Sequence, residues 1–270
     1  MFRNILAASA ATLLAAAAPA SAASLIGLTA DNALVRIDSE TRRAAAPVRV
    51  TGTDGRLLGI DQRPQDGKLW GVTERGQIVT IDPATGRATQ VSRLNTEFVH
   101  GGRAVIDFNP VANRLRVMGM SGVNLRVNVE TGEAARDGAL KYAAGSPLAE
   151  TAPRITAGAY SNSVAPPAGA PAAGQPGAPT TALYTIDTLA GTYNLQAPPN
   201  DGVQQVRGQI GGLPPGTGFD ILTSATGQNN GFVLAGGTLS TINLENGALT
   251  ALGAVAGLPA AEVIDIAAWK

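Results

Sequence analysis

An apolar residue followed by Asp recurs at Ile60-Asp61, Ile106-Asp107, Phe219-Asp220 and Ile264-Asp265, and Ala159 takes the Asp place in Thr156-Ala157-Gly158-Ala159-Tyr160. A second mark follows each of these, an apolar residue with Asp or Asn ahead of a turn: Ile37-Asp38, Ile81-Asp82, Val127-Asn128, Ile186-Asp187 and Ile242-Asn243. Short apolar-rich segments separated by turn residues, repeating every ~40–50 residues, are the mark of propeller blades. The interval from Asp61 to Asp107 is 46 residues, and that from Asp220 to Asp265 is 45. From Asp265 to the C-terminus and on from Ala23 to Asp61 is 44. That last interval predicts closure, with residues 263–268 supplying the strand that the unit at 25–28 and 34–38 lacks. A ring built this way pairs strands that an open array would leave as edges. The expected fold is all-β, a closed five-bladed β-propeller of four-stranded antiparallel blades whose N- and C-terminal strands share one blade.

The unit is clearest over residues 57–94, where Pro64-Gln65-Asp66-Gly67 and Asp82-Pro83-Ala84-Thr85-Gly86 read as turns between strands. Two intervals are longer, 52 residues from Asp107 to Ala159 and 61 from Ala159 to Asp220. The second holds residues 163–180, a Pro/Ala/Gly run without a charge that cannot build a core and reads as a flexible loop between the first two strands of blade four. Residues 200–218 are long for a link, which leaves a sixth, degenerate blade open.

Residues 1–22 read as a Sec-type signal peptide: Arg3, an apolar core over 5–18, and Ala20-Ser21-Ala22 as the cleavage site. The core is too short for a permanent membrane span. The expected mature domain, 23–270, is soluble in the periplasm or secreted, with no membrane span after cleavage. The chain has no Cys, so neither a Cys-linked lipid anchor nor disulfides enter. It carries 20 basic and 20 acidic residues, and loss of Arg3 leaves a net charge near minus one. No basic excess exists for a phosphate backbone, which excludes nucleic acid as partner.

Three constellations are candidates for function. Innermost propeller strands line a channel, so Asp61, Asp107, Asp220 and Asp265 are expected to face one another there. Such carboxylates either accept hydrogen bonds from the next blade or hold a hard cation, Ca²⁺ being the one suited to an oxygen cage. In blade three, alignment on Lys68-Leu69-Trp70 puts Arg116 in the place of Trp70 and Arg126 in the place of Thr80. One hairpin face then presents Arg114, Arg116, Asn124, Arg126 and Asn128. Three Arg need anions, from neighbouring Asp and Glu or from a bound anionic ligand. His100, the only histidine, sits on a loop before a first strand, at one mouth of the channel. One His without Cys is too little for a zinc site or a catalytic triad.

The run Asp107-Phe108-Asn109-Pro110, with Asn113-Arg114-Leu115-Arg116-Val117, Asn124-Leu125-Arg126-Val127-Asn128 and Thr131-Gly132, resembles the bacterial domain-of-unknown-function 4394 family. The resemblance spans about residues 25–269 and implies an exported protein. It carries no catalytic residue. The expected function is a ligand-binding or protein-interaction module that takes a small anionic ligand or a protein partner at a channel mouth. The alternative is a Ca²⁺-assisted hydrolase or lyase that uses the channel carboxylates, with Asn109 and Asn162 as further ligands and His100 as base.

Overall fold

A ring of five antiparallel sheets forms the computed structural model, which describes residues 23–270. The leader expected over 1–22 lies outside the described residues. Blade 1 runs outward from Val263–Trp269 through Ser24–Thr29 and Ala33–Asp38 to the short strands Arg43–Ala44 and Val48–Arg49. Leu25 pairs with Ala268 on one side and with Ile37 on the other, so the two ends of the chain do share one blade. Blade 2 is Leu57–Gln62, Leu69–Thr73, Gln77–Ile81 and Ala88–Arg93, and blade 3 is Ala104–Asn109, Arg114–Gly119, Asn124–Val127 and Ala134–Arg136. Blade 4 is Ala157–Tyr160, Leu183–Asp187, Thr192–Gln196 and Val203–Gln209, and blade 5 is Gly218–Thr223, Asn229–Ala235, Thr238–Ile242 and Leu249–Ala254. The stretch 200–218 supplies the outer strand of blade 4 rather than a sixth blade. A strand from the blade 3–4 link, Lys141–Tyr142, adds to that blade's outer edge in parallel.

Burial is continuous along inner strands such as Leu69–Thr73 and Gly218–Thr223, so each sheet is covered on both faces and each gap between blades is a core. Trp70, Phe108 and Leu115 fill the gap between blades 2 and 3, and Leu25, Phe232 and Leu234 that between 5 and 1. Ile26, Leu28 and Ile60 pack between blades 1 and 2, and Ile186, Tyr193 and Phe219 between 4 and 5. The gap between blades 3 and 4 differs, with six buried apolar residues and many polar ones. Thr185, Asn194, Gln196 and Gln204 are all buried there, and three of them are linked, Thr185 Oγ1 donating to Gln204 Oε1 at 2.6 Å and Gln204 Nε2 to Gln196 Oε1 at 2.7 Å.

The second sequence mark closes turns. Asp38, Asp82, Asn128, Asp187 and Asn243 each accept a backbone N–H two residues on. Blade 4 is out of phase, however, because Asp187 ends its second strand whereas Asp38 ends, and Asp82, Asn128 and Asn243 follow, third strands. The charge-free insertion lies between that second strand and the first, Ala157–Tyr160. The turn glycines also set blade spacing. Gly132 has φ +78°, and a Cβ there would lie 1.8 Å from the Arg93 carbonyl oxygen of the preceding blade.

Candidate functional site

Neighbouring blades share isolated backbone contacts at their outer edges, such as the Ala44 N–H to the Ala256 carbonyl and the Thr51 N–H to the Gly86 carbonyl, and the channel carboxylates join them near the axis. The Phe108 N–H of blade 3 donates to Asp61 Oδ2 of blade 2 at 2.7 Å, and the Tyr160 N–H of blade 4 to Asp107 Oδ1 at 2.9 Å. The Ala268 N–H of blade 1 donates to Asp220 Oδ2 at 2.5 Å, and the Ile60 N–H of blade 2 to Asp265 Oδ2 at 2.9 Å. Where Ala159 replaces Asp, polar side chains beyond the strand ends stitch blades 4 and 5. The Asn162 N–H donates to Asn229 Oδ1 at 2.8 Å, and Ser163 Oγ to the Ile221 carbonyl at the same distance.

The four Asp are not equivalent. Asp61, Asp107 and Asp220 lie opposite Trp70, Arg116 and Phe232 in their blades, and in blade 1 the matching residue, opposite Ile26, is Ala267. Asp265 lies opposite Leu28, two residues earlier on the same face. Gly59 makes room for it, since a Cβ there would stand 2.7 Å from Asp265 Oδ2. The expected ring of four is thus corrected to a cluster of three, Asp61, Asp107 and Asp220, with carboxylate oxygens within 4.8 Å of one another, and a fourth set deeper.

Burial holds the carboxyls of Asp61 and Asp107 well above the usual range, reinforced at Asp61 by Asp220 and Asp265 and at Asp107 by Asp61 and Asp220. Burial likewise raises Asp265 well above that range and pushes Asp220 up to about 6, against the N–H groups of Ala268 and Ile221 and the charge of Lys270. The three clustered carboxylates could hold one divalent cation. The further ligands and base expected with it are not assembled. Asn109 Oδ1 accepts the N–H groups of Val111 and Ala112, Asn162 Oδ1 accepts Asn229 Nδ2, and His100 lies toward the opposite mouth. There its Nδ1 lies 3.1 Å from the Gly102 N–H, beside Arg56, Arg103 and Ile264.

The blade 3 hairpin divides into buried and exposed parts. Arg116 does face Arg126, as the alignment predicts, and is 1% exposed. Its guanidinium donates to Asp137 Oδ2 at 2.7 Å, Asn124 Oδ1 at 2.8 Å, Asn200 Oδ1 at 2.9 Å and Tyr160 Oη at 3.2 Å. Asn124 Nδ2 donates to the carbonyls of Gly138 and Pro199. Arg116 and Asn124 thus join blade 3 to blade 4 with their polar atoms spent inside the protein. Arg126 Nε also donates to Asp137 Oδ2, at 2.7 Å, but its side chain is 39% exposed. Arg114 is exposed, and Asn128 caps its turn.

At the exit mouth, where the innermost strands end, a cavity of about 360 Å³ is lined by Asp61, Arg63, Ser163, Asp220 and Lys270 among others. Lys270 Nζ donates to the Ser163 carbonyl at 2.6 Å, and burial lowers its pKa against the pull of Asp220 and Asp61. Arg63 spans blades 2 and 3, donating to Asn113 Oδ1 at 2.9 Å and pairing with Glu130 at 2.6 Å, while its guanidinium lies over Trp70 at 5.3 Å. Sequence reasoning missed Arg63 and Lys270. Their one signal was position, each just beyond the end of an innermost strand.

The family described as Domain of unknown function (DUF4394) matches residues 24–267. No curated protein matches the sequence. Among solved structures, a protein of unknown function from Bacteroides thetaiotaomicron VPI-5482 is similar at 12% identity and TM-score 0.51, over 93% of this chain and 65% of that one. Another, from Bacteroides caccae, is similar at 12% identity and TM-score 0.41, over 86% and 73%. An auxiliary nutrient binding protein from Bacteroides ovatus ATCC 8483 is similar at 15% identity and TM-score 0.42, over 77% of this chain and 55% of that one. At such identities the likeness concerns the fold alone.

Proposed function

The chain belongs to the DUF4394 family, and we propose that its propeller is an exported binding module that takes a small ligand at the exit mouth of the channel. The observation that carries this reading is the mouth cavity, where Asp61 and Asp220 meet Lys270 in a recess of about 360 Å³. Ligand sites are concave recesses of ~300–1,000 Å³ with a few convergent polar groups. Donor and acceptor stand side by side there, so the site suits a ligand that both gives and accepts hydrogen bonds. The hairpin that sequence reasoning favoured supports this role less well, because Arg116 and Asn124 are occupied by protein partners.

A melting-temperature screen against small polyols, amines and carboxylic acids tests the reading, since a ligand of the native state must raise the midpoint. Compounds that stabilise the wild type should stabilise Lys270→Ala less. Stabilisation that survives Lys270→Ala but is lost in the Arg114→Ala/Arg126→Ala variant would move the site to blade 3. Export is tested by N-terminal sequencing of the protein recovered outside the cytoplasm, with Ala23 expected first.

One observation favours a second reading, a bound divalent cation: the oxygens of Asp61, Asp107 and Asp220 lie within 4.8 Å of one another. Under it, millimolar Ca²⁺ raises the melting temperature and a chelator reverses the rise.

A further inference from the structure

We infer that the ligand is an extended, uncharged, hydroxyl-rich chain, a neutral oligosaccharide, lying across the exit face with Trp269 as its stacking platform. The inference rests on the exit mouth being the binding site and goes further by naming the ligand's class and length.

Two more cavities flank the mouth. One of about 470 Å³ lies between blades 1 and 2 and shares Gly67 with the mouth. The other, of about 460 Å³, lies between blades 1 and 5 and shares Val164 and Lys270 with it. Trp269 lines both flanks and is partly exposed, whereas the other tryptophan, Trp70, is buried in the core. The three recesses form one groove around the Trp269-Lys270 pair, longer than a single small molecule fills.

Charge selects the occupant. Asp61, Asp220 and Asp82 line the groove together with Arg63, Lys270, Lys68 and Arg87. A polyanion would meet the carboxylates and a polycation the amino and guanidinium groups, each at a Coulombic cost. An extended peptide adds to a sheet through unpaired edge backbone, and the exit face presents strand ends instead. The remaining lining is mostly apolar, with Leu69, Ile81 and Pro83 on one flank and Leu222 and Ala225 on the other, and it is interrupted by the hydroxyls of Thr80 and Thr89 and of Ser24 and Ser224. A sugar hydroxyl donates and accepts at once, which matches donors and acceptors set side by side. The C–H face of a pyranose is apolar and packs on an indole ring whose edge is polar.

The test is calorimetric titration of the purified protein with neutral gluco- and xylo-oligosaccharides of one to six units. Affinity should rise roughly tenfold or more between one and four units. Trp269→Ala should weaken the longest oligomer by roughly tenfold, and Trp269→Phe, which keeps a platform and a core contact, by far less. Arg87→Ala, at an exposed flank position, should weaken long oligomers and leave monosaccharides unchanged. If Trp269→Ala proves unstable, the length dependence and the Arg87 variant decide. Binding without length dependence that Lys270→Ala removes and Trp269→Phe and Arg87→Ala leave intact would overturn the inference while leaving the exit mouth as the site. Tighter binding of polyglutamate or polylysine than of neutral oligomers, or no oligosaccharide binding at all, would overturn it as well.

Discussion

Replacing Arg116 with Met should unfold this propeller far more readily than any change at Arg126. The Arg116 side chain is 1% exposed and donates to four groups on two blades, Asp137, Asn124, Asn200 and Tyr160. Met fills much of the volume but satisfies none of them, leaving the amide oxygen of Asn124 and the carboxylate of Asp137 short of donors in a dry interior. Removing one partner of a buried ion pair costs about 3–5 kcal/mol. Arg126 still reaches Asp137, so the lower end of that range is expected. Arg126→Gln removes a partly exposed pair worth about 1 kcal/mol or less. Urea denaturation followed by far-UV circular dichroism gives both values, and a double-mutant cycle of Arg116→Met with Asn124→Ala should show coupling above about 1 kcal/mol. A loss below 1 kcal/mol for Arg116→Met, or equal losses at 116 and 126, would refute the assignment of Arg116 as the lock between blades 3 and 4.

Stability should fall as pH rises through the acid range, opposite to the usual behaviour of paired carboxylates. Asp220 keeps its proton to about pH 6 when folded and loses it near 3.8 when unfolded, so above about pH 4 the folded state binds more protons and Asp220 alone costs it up to about 3 kcal/mol by pH 7, with the raised Asp61, Asp107 and Asp265 acting in the same direction. Denaturation midpoints between pH 4 and 7 in chelator check this, and Asp220→Asn should flatten the slope. Gly132→Ala forces a Cβ against the Arg93 carbonyl at positive φ and should cost about 1–3 kcal/mol, measured by the same denaturation. Replacing residues 165–178 with a short Gly/Ser link should leave stability within about 0.5 kcal/mol, because the segment buries no core residue.

Blade count and closure were legible because both rest on local signals, the apolar–Asp mark and turn residues, repeated at a nearly fixed spacing. Asp265 shows where such signals stop. A slip of two residues along a strand keeps the side chain on the same face, so the pattern reads Asp265 as the equal of Asp61 although Ala267 holds that place. The phase change in blade 4 was hidden by an insertion with no apolar periodicity to count. The polar layer between blades 3 and 4 did leave a trace, Thr192, Asn194 and Gln196 alternating with Tyr193 and Leu195. That pattern resembles a strand with one solvated face, and only tertiary contact shows the polar face to be buried. Arg116 stood out because it broke a repeat, whereas Lys270 and Arg63 lie where the repeat makes no demand.

A crystallographic screen with small polyols, sugars and amines tests directly whether the exit mouth is the binding site. Bound molecules are predicted to gather between Asp61, Asp220 and Lys270 and along Trp269. Molecules gathered instead at Arg114 and Arg126, or beside His100 at the entry mouth, would contradict the account.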